Sequence, residues 1–122
     1  MKILVVDDED DIRRIAALAL GPVGGMTVIQ ASNGVEAVRK ATEELPDVIL
    51  LDMMMPDMDG PTTFTTLKNQ PATSGIPIIF LTAKAMKTEV DRLKAMGARA
   101  VLTKPFDPTS LAAQIRKVLE DE

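Results

Sequence analysis

The sequence predicts a doubly wound α/β protein made of five consecutive βα units, (βα)5, around one open five-stranded parallel sheet. Apolar runs of four to six residues recur along the chain and are continuous, as expected for strands buried on both faces of a sheet. These runs are Ile3–Val6, Thr27–Ala31, Val48–Leu51, Ile76–Leu81 and Ala98–Leu102. Helical spacing of apolar residues fills the segments between them, and right-handed crossovers would place those helices on both faces of the sheet.

Length and composition indicate one domain over residues 1–122. A chain of 122 residues is the usual size of a single domain, and 46% hydrophobic residues are enough to form an interior. Aromatic residues make up only 2%, so we expect an aliphatic core. We find no linker, internal repeat or low-complexity stretch.

The absence of two residue types excludes several kinds of chemistry. Without cysteine there are no disulfides and no thiolate sites, and without histidine the chain lacks the commonest general base.

The net charge of −4 argues against direct nucleic-acid binding. No apolar stretch approaches the roughly 20 residues needed for membrane insertion, and Lys2 opens the first strand with no room for a secretory leader. We therefore expect a cytoplasmic protein.

Apolar residues three or four positions apart predict which face each helix buries. The expected sets are Ile12, Ile15 and Ala19 in the first helix, Val35, Val38 and Leu45 in the second, Val90, Leu93 and Met96 in the fourth, and Leu111, Ile115 and Val118 in the fifth. Gly97 is expected to stop the fourth helix, and Asp107 to cap the fifth with Pro108 at its first position. The third helix, about Pro61–Gln70, has four β-branched threonines that lower helix propensity.

Polar residues with complementary chemistry follow four of the predicted strands. The first strand is followed by Asp7, Asp8, Glu9 and Asp10; Asp52 ends the third, Thr82 the fourth, and Lys104-Pro105 the fifth. Ligands of open α/β sheets bind outside the carboxyl ends of the strands. We therefore expect these side chains, which are distant along the chain, to meet at one edge.

Together these groups fit a magnesium-dependent phosphoryl acceptor. Neighbouring carboxylates repel each other, and Mg²⁺ prefers oxygen ligands. An aspartate can act as the nucleophile and form an aspartyl phosphate. The ammonium of Lys104 would then offset phosphate charge, while the hydroxyl of Thr82 and backbone amides near Ala83 would bind its remaining oxygens.

Each residue taken alone also fits an ordinary structural role. The acidic residues after the first strand are suited to capping a helix, Asp52 to a turn, and Thr82 to a strand. Lys104 fits a solvated surface position, and the three methionines after Asp52 fit core packing better than a soft-metal site. The functional interpretation depends on the agreement of all four strand ends.

The sequence resembles the receiver domains of two-component response regulators, the CheY-like family. The motifs that carry the resemblance are ILVVDD at Ile3–Asp8, PDVILLDMMMPDMDG at Pro46–Gly60, IPIIFLTA at Ile76–Ala83 and GARAVLTKPF at Gly97–Phe106. Their order covers nearly the whole chain. The resemblance implies a flavodoxin-like sheet with strand order 2-1-3-4-5.

The resemblance also implies a role for each site residue in metal binding. Asp8 is expected to bind Mg²⁺ directly, and Asp7 to serve as a second acidic ligand that acts through water. Asp52 and the backbone carbonyl of Met54 would complete the protein's contribution to the metal.

For phosphoryl transfer, the resemblance implies that Asp52 is the phosphoacceptor, Thr82 the switch hydroxyl and Lys104 the phosphate-binding lysine. The donor would be a phosphohistidine on a sensor histidine kinase or a histidine phosphotransfer protein, and the output an unidentified downstream protein. The domain is not expected to be an enzyme beyond its own phosphorylation and, at most, its own dephosphorylation. The Lys104-Pro105 bond is cis in many relatives.

Val101 departs from the family pattern at a position that bears on the switch. Many relatives have an aromatic residue three positions before the lysine, where this chain has Val101. The aromatic part of the usual switch is therefore in question, and we hypothesise that the output face responds through shifts around Thr82–Lys87.

Three other functions remain as alternatives. An aspartyl-nucleophile phosphatase would need a D-x-D motif after the first strand and a cap domain, and Asp7-Asp8-Glu9 is not that motif. A nucleotide- or flavin-binding module would need a glycine-rich phosphate loop after the first strand, and the chain has no Trp or Tyr to stack on a flavin. A receiver-like scaffold that ignores phosphate is favoured only by Val101.

A stand-alone regulator and a receiver that is part of a larger protein both remain open.

Overall fold

The computed structural model describes residues 1–84 and 86–120, and within them five strands alternate with five helices. The strands are β1 (Lys2–Val6), β2 (Thr27–Ala31), β3 (Val48–Asp52), β4 (Ile78–Thr82) and β5 (Ala100–Thr103). The helices are α1 (Asp10–Leu20), α2 (Gly34–Glu44), α3 (Gly60–Lys68), α4 (Lys87–Ala95) and α5 (Leu111–Glu120). None of these helices is long and apolar enough to cross a membrane.

The strands form one parallel sheet in the order β2-β1-β3-β4-β5. This arrangement confirms the predicted fold class and strand order. Because all strands run in one direction, their carboxyl ends meet at a single edge, which carries the residues after β1, β3, β4 and β5. In the register of neighbouring strands, Asp52 pairs with Leu81 and Thr82 with Thr103.

Two apolar layers cover the sheet, one on each face. Successive strand residues point to opposite faces. On one face Leu4, Ile49 and Phe80 pack with residues of α2, α3 and α4. On the other, Ile3 and Leu50 pack with residues of α1 and α5. This two-sided burial explains the continuous apolar runs, since every residue of β3 and β4 is buried.

The predicted strands lie in the correct places with small errors at their ends. β2 has the predicted limits, and β3 includes Asp52 as its last residue. β4 begins at Ile78 and β5 at Ala100, in each case two residues later than the apolar runs suggested. The residues before them, Ile76 and Ala98, are buried but belong to the connections, so burial extends beyond the sheet itself.

The predicted buried faces of α1 and α2 are only partly correct: Ala19 is buried and Val38 packs against the core, but the other large apolar residues do not. Ile15 is 45% exposed, and Val35 and Leu45 of the second segment are 71% and 56% exposed. The buried residues are mostly small: Ala16, Ala19 and Leu20 in α1, and Gly34, Ala37 and Ala41 in α2. Small residues allow close approach of the helix. A Cβ on Gly34 would collide with the Thr63 hydroxyl and Met58.

The threonine-rich third helix forms from Gly60 to Lys68, close to its predicted range. Asp59 caps it by accepting a hydrogen bond from the backbone N–H of Thr62. Three threonine hydroxyls donate to carbonyls four residues earlier, which satisfies them within the helix. These pairs are Thr63 to Asp59, Thr65 to Pro61 and Thr66 to Thr62. Burial of Phe64 and Leu67 against the sheet outweighs the low helix propensity of threonine.

The last two helices bury the central residues of their predicted faces, although Met96 at the end of the fourth is 39% exposed. Leu93 is buried in α4, and Gly97 follows that helix with a φ of +112°, as expected of a stop residue. Leu111 and Ile115 are buried in α5. The predicted start of α5 at Pro108 is wrong, because the regular helix begins at Leu111. Asp107 instead accepts hydrogen bonds from the N–H and hydroxyl of Thr109 in a preceding turn.

Gly60 sets how closely α3 approaches the end of β3. An added Cβ would lie 2.5 Å from the carbonyl oxygen of Asp52 and 2.9 Å from Cα of Met53. The N–H of Gly60 also donates to the carbonyl of Met53 at 3.0 Å. The first turn of α3 therefore packs directly against the backbone that carries Asp52.

We expect Gly60→Ala to lower the free energy of unfolding by about 1–3 kcal/mol, because the new methyl group would push against backbone atoms. Urea unfolding followed by far-UV circular dichroism measures this loss. Gly75→Ala is the matched control, since a Cβ there meets no atom within 4 Å. Equal losses in the two variants would contradict the close approach of α3 to β3.

Candidate functional site

Two buried carboxylates share one ammonium group at the carboxyl edge of the sheet. Lys104 Nζ lies 3.0 Å from Asp52 Oδ1 and 3.0 Å from Asp7 Oδ2. Asp7 and Asp52 are 2% and 3% exposed, so water does little to screen their charges. Lys104 comes from the segment after β5, which makes this ion pair a link between three separate parts of the chain.

Asp8 adds a third carboxylate on the solvent side. Asp7, Asp8 and Asp52 each place a carboxylate oxygen within 4.8 Å of the others. One ammonium cannot neutralise three such groups, and the cluster keeps a negative charge that attracts cations.

The unsatisfied oxygen of Asp7 tests whether this cluster suits Mg²⁺. Oδ2 of Asp7 is buried and accepts no aligned hydrogen bond from the described residues, so its contact with Lys104 is an ion pair. A buried oxygen without a hydrogen bond is costly. A hard cation with oxygen ligands would satisfy it, and Asp8 supplies a neighbouring oxygen open to water. The residues present therefore fit a magnesium ion.

The shared ion pair shifts the pKa of both partners. Burial raises the pKa of Asp52 from 3.8 to about 6, and the charge of Asp7 adds to this, while the hydrogen bond from Lys104 opposes it. For Lys104, burial alone would lower the pKa, but its hydrogen bond to Asp52, its close contact with Asp7 and the negative charges of both raise it overall. Without metal, Asp52 is therefore close to its titration range at neutral pH.

Thr82 lies at the same edge, and among the described residues its hydroxyl bonds to the backbone of Lys84 and not to Asp52. Its side chain is buried, and its hydroxyl accepts a hydrogen bond from the N–H of Lys84 at 3.1 Å and donates to the carbonyl of Lys84 at 3.2 Å. Its own carbonyl accepts from the N–H of Lys104 at 2.7 Å, which connects β4 to the lysine. The hydroxyl therefore stabilises its own loop in this structure.

A shallow pocket lies at the carboxyl edge of the sheet, beside the segments that follow β3 and β4. It is lined by Met53, Met54, Thr82, Ala83, Lys84 and Glu89. The N–H of Met54 points towards Oδ1 of Asp52 at 3.5 Å, the outer limit of a hydrogen bond. The side chain of Met54 is 78% exposed, so it does not serve as core filler as the sequence suggested. Met53 and Met55 are buried, in agreement with that interpretation.

Asp7 is held by contacts that sequence reasoning missed. Its Oδ1 accepts a hydrogen bond from the N–H of Glu9 at 2.9 Å. Its carbonyl accepts another, at 2.9 Å, from Nη1 of Arg13 on α1. The only signal in the sequence is a basic residue among the acidic and apolar residues of the first helix, and this signal is too weak to assign a partner.

Two further expectations concern the segment that carries Lys104. The Lys104-Pro105 bond is cis, as in many relatives. Val101 is paired with Phe80 across the sheet and is partly buried against the core. The segment Thr82–Lys87, in which we hypothesise a response, includes Ala85, which lies outside the described residues.

Comparison with known proteins identifies the family. A family model described as the response regulator receiver domain matches residues 3–116. The chain belongs to this family, whose members are regulatory domains of two-component systems.

Relatives and solved structures agree with this assignment. The chain is 44% identical over 120 residues to the probable transcriptional regulator ycf27 of Pyropia yezoensis, covering 97% of the chain and 47% of that protein. It is 39% identical over 117 residues to the phosphate regulon transcriptional regulatory protein PhoB of Pseudomonas aeruginosa, covering 96% and 51%. The chain thus spans about half the length of these curated relatives. The chemotaxis protein CheY4 of Vibrio cholerae matches with 34% identity and a TM-score of 0.89, covering 96% of this chain and 97% of that one.

The raised pKa of Asp52 makes stability depend on pH in a defined direction. Between pH 3.8 and about 6 the folded protein binds the Asp52 proton and the unfolded chain does not, so stability falls as pH rises. In the absence of Mg²⁺, Asp52→Asn is expected to raise the free energy of unfolding at pH 7.5 by on the order of 2 kcal/mol. This gain should shrink towards zero near pH 4. Urea unfolding in EDTA at several pH values measures it.

Asp59→Asn is the control, because the pKa of Asp59 is shifted in the direction opposite to that of Asp52. Hydrogen bonds from Thr62 lower the pKa of Asp59, so removal of its charge should not stabilise the protein at neutral pH. A loss of stability in Asp52→Asn at pH 7.5, or a gain that does not change with pH, would contradict the burial of an ionised Asp52.

Proposed function

We propose that this chain is a phosphorylatable signalling switch that accepts a phosphoryl group on Asp52 in a magnesium-dependent reaction. The observation that carries the proposal is the joint contact of Lys104 with Asp7 and Asp52 at the edge that also carries Asp8 and Thr82. An ordinary set of helix caps and surface charges would not bury two carboxylates around one ammonium.

Mg²⁺ would be held by Asp7, Asp8 and Asp52, with the backbone carbonyl of Met54 as a fourth protein ligand. The cluster of three carboxylates and the unsatisfied Oδ2 of Asp7 support this assignment. When bound, the ion supplies positive charge that offsets both the carboxylates and the phosphoryl oxygens.

Asp52 would act as the nucleophile. Lys104 and the N–H of Met54 both approach Oδ1, so Oδ2 is the oxygen expected to form the new bond. A lone pair of this oxygen attacks the phosphorus of a phosphohistidine, the P–O bond forms and the P–N bond breaks. The donor nitrogen leaves with the electron pair of the broken bond, and its imidazole regains a proton. The donor histidine must lie outside these 122 residues, because they contain none.

Lys104 and Thr82 would receive the phosphoryl oxygens. A phosphoryl group adds roughly two negative charges by analogy with phosphoserine, and Lys104 already lies beside the acceptor. For Thr82 to contribute, its hydroxyl must leave the backbone of Lys84 and turn towards the new oxygens. That exchange of hydrogen bonds would connect phosphorylation to the β4–α4 loop.

The partners follow from this chemistry. The phosphoryl donor would be a sensor histidine kinase or a histidine phosphotransfer protein, and the phosphorylated form would change its affinity for a downstream protein. With Val101 at the usual aromatic position, we expect the change to pass through the loop and backbone around Thr82–Lys87. The setting is cytoplasmic.

Acetyl phosphate with Mg²⁺ should add one phosphoryl group to the wild-type chain, seen by intact-mass spectrometry and removed by hydroxylamine. Asp52→Asn should abolish this labelling because it removes the nucleophilic carboxylate. Asp57→Asn is the matched control, since Asp57 is exposed in the next loop and Asn tolerates its φ of +68°. Full labelling of Asp52→Asn would show that the acceptor is wrongly assigned.

Lys104→Ala and Asp8→Asn should separate phosphate binding from metal binding. Lys104→Ala is expected to slow labelling about 100-fold, because a charge that stabilises the transferring group is lost. It should not weaken Mg²⁺ binding, since the ammonium opposes a second cation beside Asp7 and Asp52. Asp8→Asn should largely remove the rise in melting temperature caused by millimolar Mg²⁺.

Labelling rates and Mg²⁺-dependent melting temperatures measure both effects on the same samples. Lys117→Ala, an exposed lysine of α5, controls for the loss of one positive charge. Labelling of Lys104→Ala at the wild-type rate would contradict its role as the phosphate-binding residue. Retention of the full Mg²⁺ effect in Asp8→Asn would contradict its role as a ligand.

A further inference from the structure

Arg13 joins three elements directly behind the acidic cluster. It lies in the first half of α1, and its side chain is only 14% exposed. Nη1 donates to the carbonyl of Asp7 at 2.9 Å, Nη2 pairs with Oδ1 of Asp10 at 2.7 Å, and Nε donates to Oε1 of Gln30 on β2 at 3.2 Å. Three nitrogens of one guanidinium therefore bind the end of β1, the start of α1 and the edge strand.

Arg13 contacts Asp7 at the point where the hydrogen-bond ladder of the sheet ends. The ladder between β1 and β2 ends at the pair Val6 and Ala31, and the N–H of Asp7 makes one more bond to Ala31. The carbonyl of Asp7 lies beyond that bond and belongs to the peptide group that joins Asp7 to Asp8. The hydrogen bond from Arg13 fixes the plane of this peptide group.

This peptide group controls two of the three carboxylates. Rotation about the Cα–C bond of Asp7 would turn this peptide group and swing Asp8 relative to Asp7, and the carboxylate oxygens of Asp7, Asp8 and Asp52 lie within 4.8 Å of one another. Asp7 is further fixed by the N–H of Glu9, but Asp8 is exposed and accepts no hydrogen bond from the described residues. The direction of Asp8 therefore depends strongly on the backbone that Arg13 holds.

We propose that Arg13 is a positioning residue for the metal site: its guanidinium locks the Asp7–Asp8 peptide group so that both carboxylates face Asp52. This inference rests on the proposed function, because it concerns the affinity of the same acidic cluster for Mg²⁺. A lysine could not replace it fully, since one ammonium cannot reproduce the planar, three-way contact of the guanidinium.

The charge of Arg13 and its positioning role predict opposite changes in Mg²⁺ affinity when Arg13 is replaced by alanine. Arg13 is a cation close to a cation-binding cluster, so removal of its charge alone would tighten Mg²⁺ binding. Loss of positioning would weaken it, and removal of a group that orients metal ligands typically costs 10-fold to 100-fold in affinity. Weaker binding in Arg13→Ala can therefore be attributed to the lost contacts and not to the lost charge.

The experiment is a Mg²⁺ titration of the full chain at a temperature well below unfolding. Amide chemical shifts in NMR spectra give the dissociation constant and report directly on folding, and the chain has no Trp or Tyr for fluorescence detection. We expect the dissociation constant to rise about tenfold in Arg13→Ala and by a smaller factor in Arg13→Lys. Gln30→Ala removes one anchor of the guanidinium without changing any charge, and it should shift binding in the same direction.

Arg14→Ala is the matched control, because Arg14 is the next residue, is exposed and carries the same charge. It should leave Mg²⁺ affinity unchanged or slightly tighter. If Arg13→Ala does not fold, Arg13→Lys and Gln30→Ala decide the question by the same measurement.

The outcomes separate this inference from the proposed function. If the wild type binds Mg²⁺ and Arg13→Ala, Arg13→Lys and Gln30→Ala bind it equally well or more tightly, the positioning role is overturned while the metal site stands. If the wild type itself shows no Mg²⁺-dependent shifts at the acidic cluster, the metal part of the proposed function fails, and this inference fails with it. The positioning role is supported if the Arg13 variants bind Mg²⁺ more weakly while Arg14→Ala keeps the wild-type affinity.

Discussion

The ammonium of Lys104 lies between two buried carboxylates, and the rest of the site depends on this shared ion pair. A buried carboxylate without a counter-charge is strongly unfavourable, so the ammonium of Lys104 offsets part of the cost of burying Asp7 and Asp52. One positive charge nevertheless leaves the cluster with Asp8 short of neutrality. The remaining negative charge attracts cations, while burial, with a smaller contribution from the charge of Asp7, raises the pKa of Asp52.

The sheet topology makes this ion pair possible. β1 and β3 are neighbours in the centre of the sheet, so Asp7 and Asp52 leave it side by side, although they are far apart in sequence. Lys104 reaches them from the end of an edge strand, and the backbone bond from its N–H to the carbonyl of Thr82 fixes its starting point. The site residues therefore lie at the ends of strands that the core holds in place. Such rigid elements fix the geometry of a site more precisely than flexible loops do.

Around the site, the backbone is held by groups that carry no obvious functional signature. Gly60 allows α3 to pack against the carbonyl of Asp52, and Arg13 binds the carbonyl of Asp7. Both contacts involve main-chain oxygens at strand ends, where the hydrogen-bond ladder stops. The chemistry of the carboxylates and the support of their backbone are therefore separate requirements, met by different residues.

The sequence by itself determined the five strands and the polar residues that follow them. Burial on both faces requires an unbroken apolar run, as in Val48–Leu51, and such a run is visible without knowledge of its neighbours. The buried faces of α1 and α2 were not determined in this way, because Val35 and Ile15 look like core residues, while Ala37 and Ala16 are buried only where a partner comes close. The same holds for the hydroxyl of Thr82 and for the bond from Arg13 to Asp7, because the partners in both are backbone groups. Every residue offers the same backbone groups, so only the tertiary structure decides which of them a side chain meets.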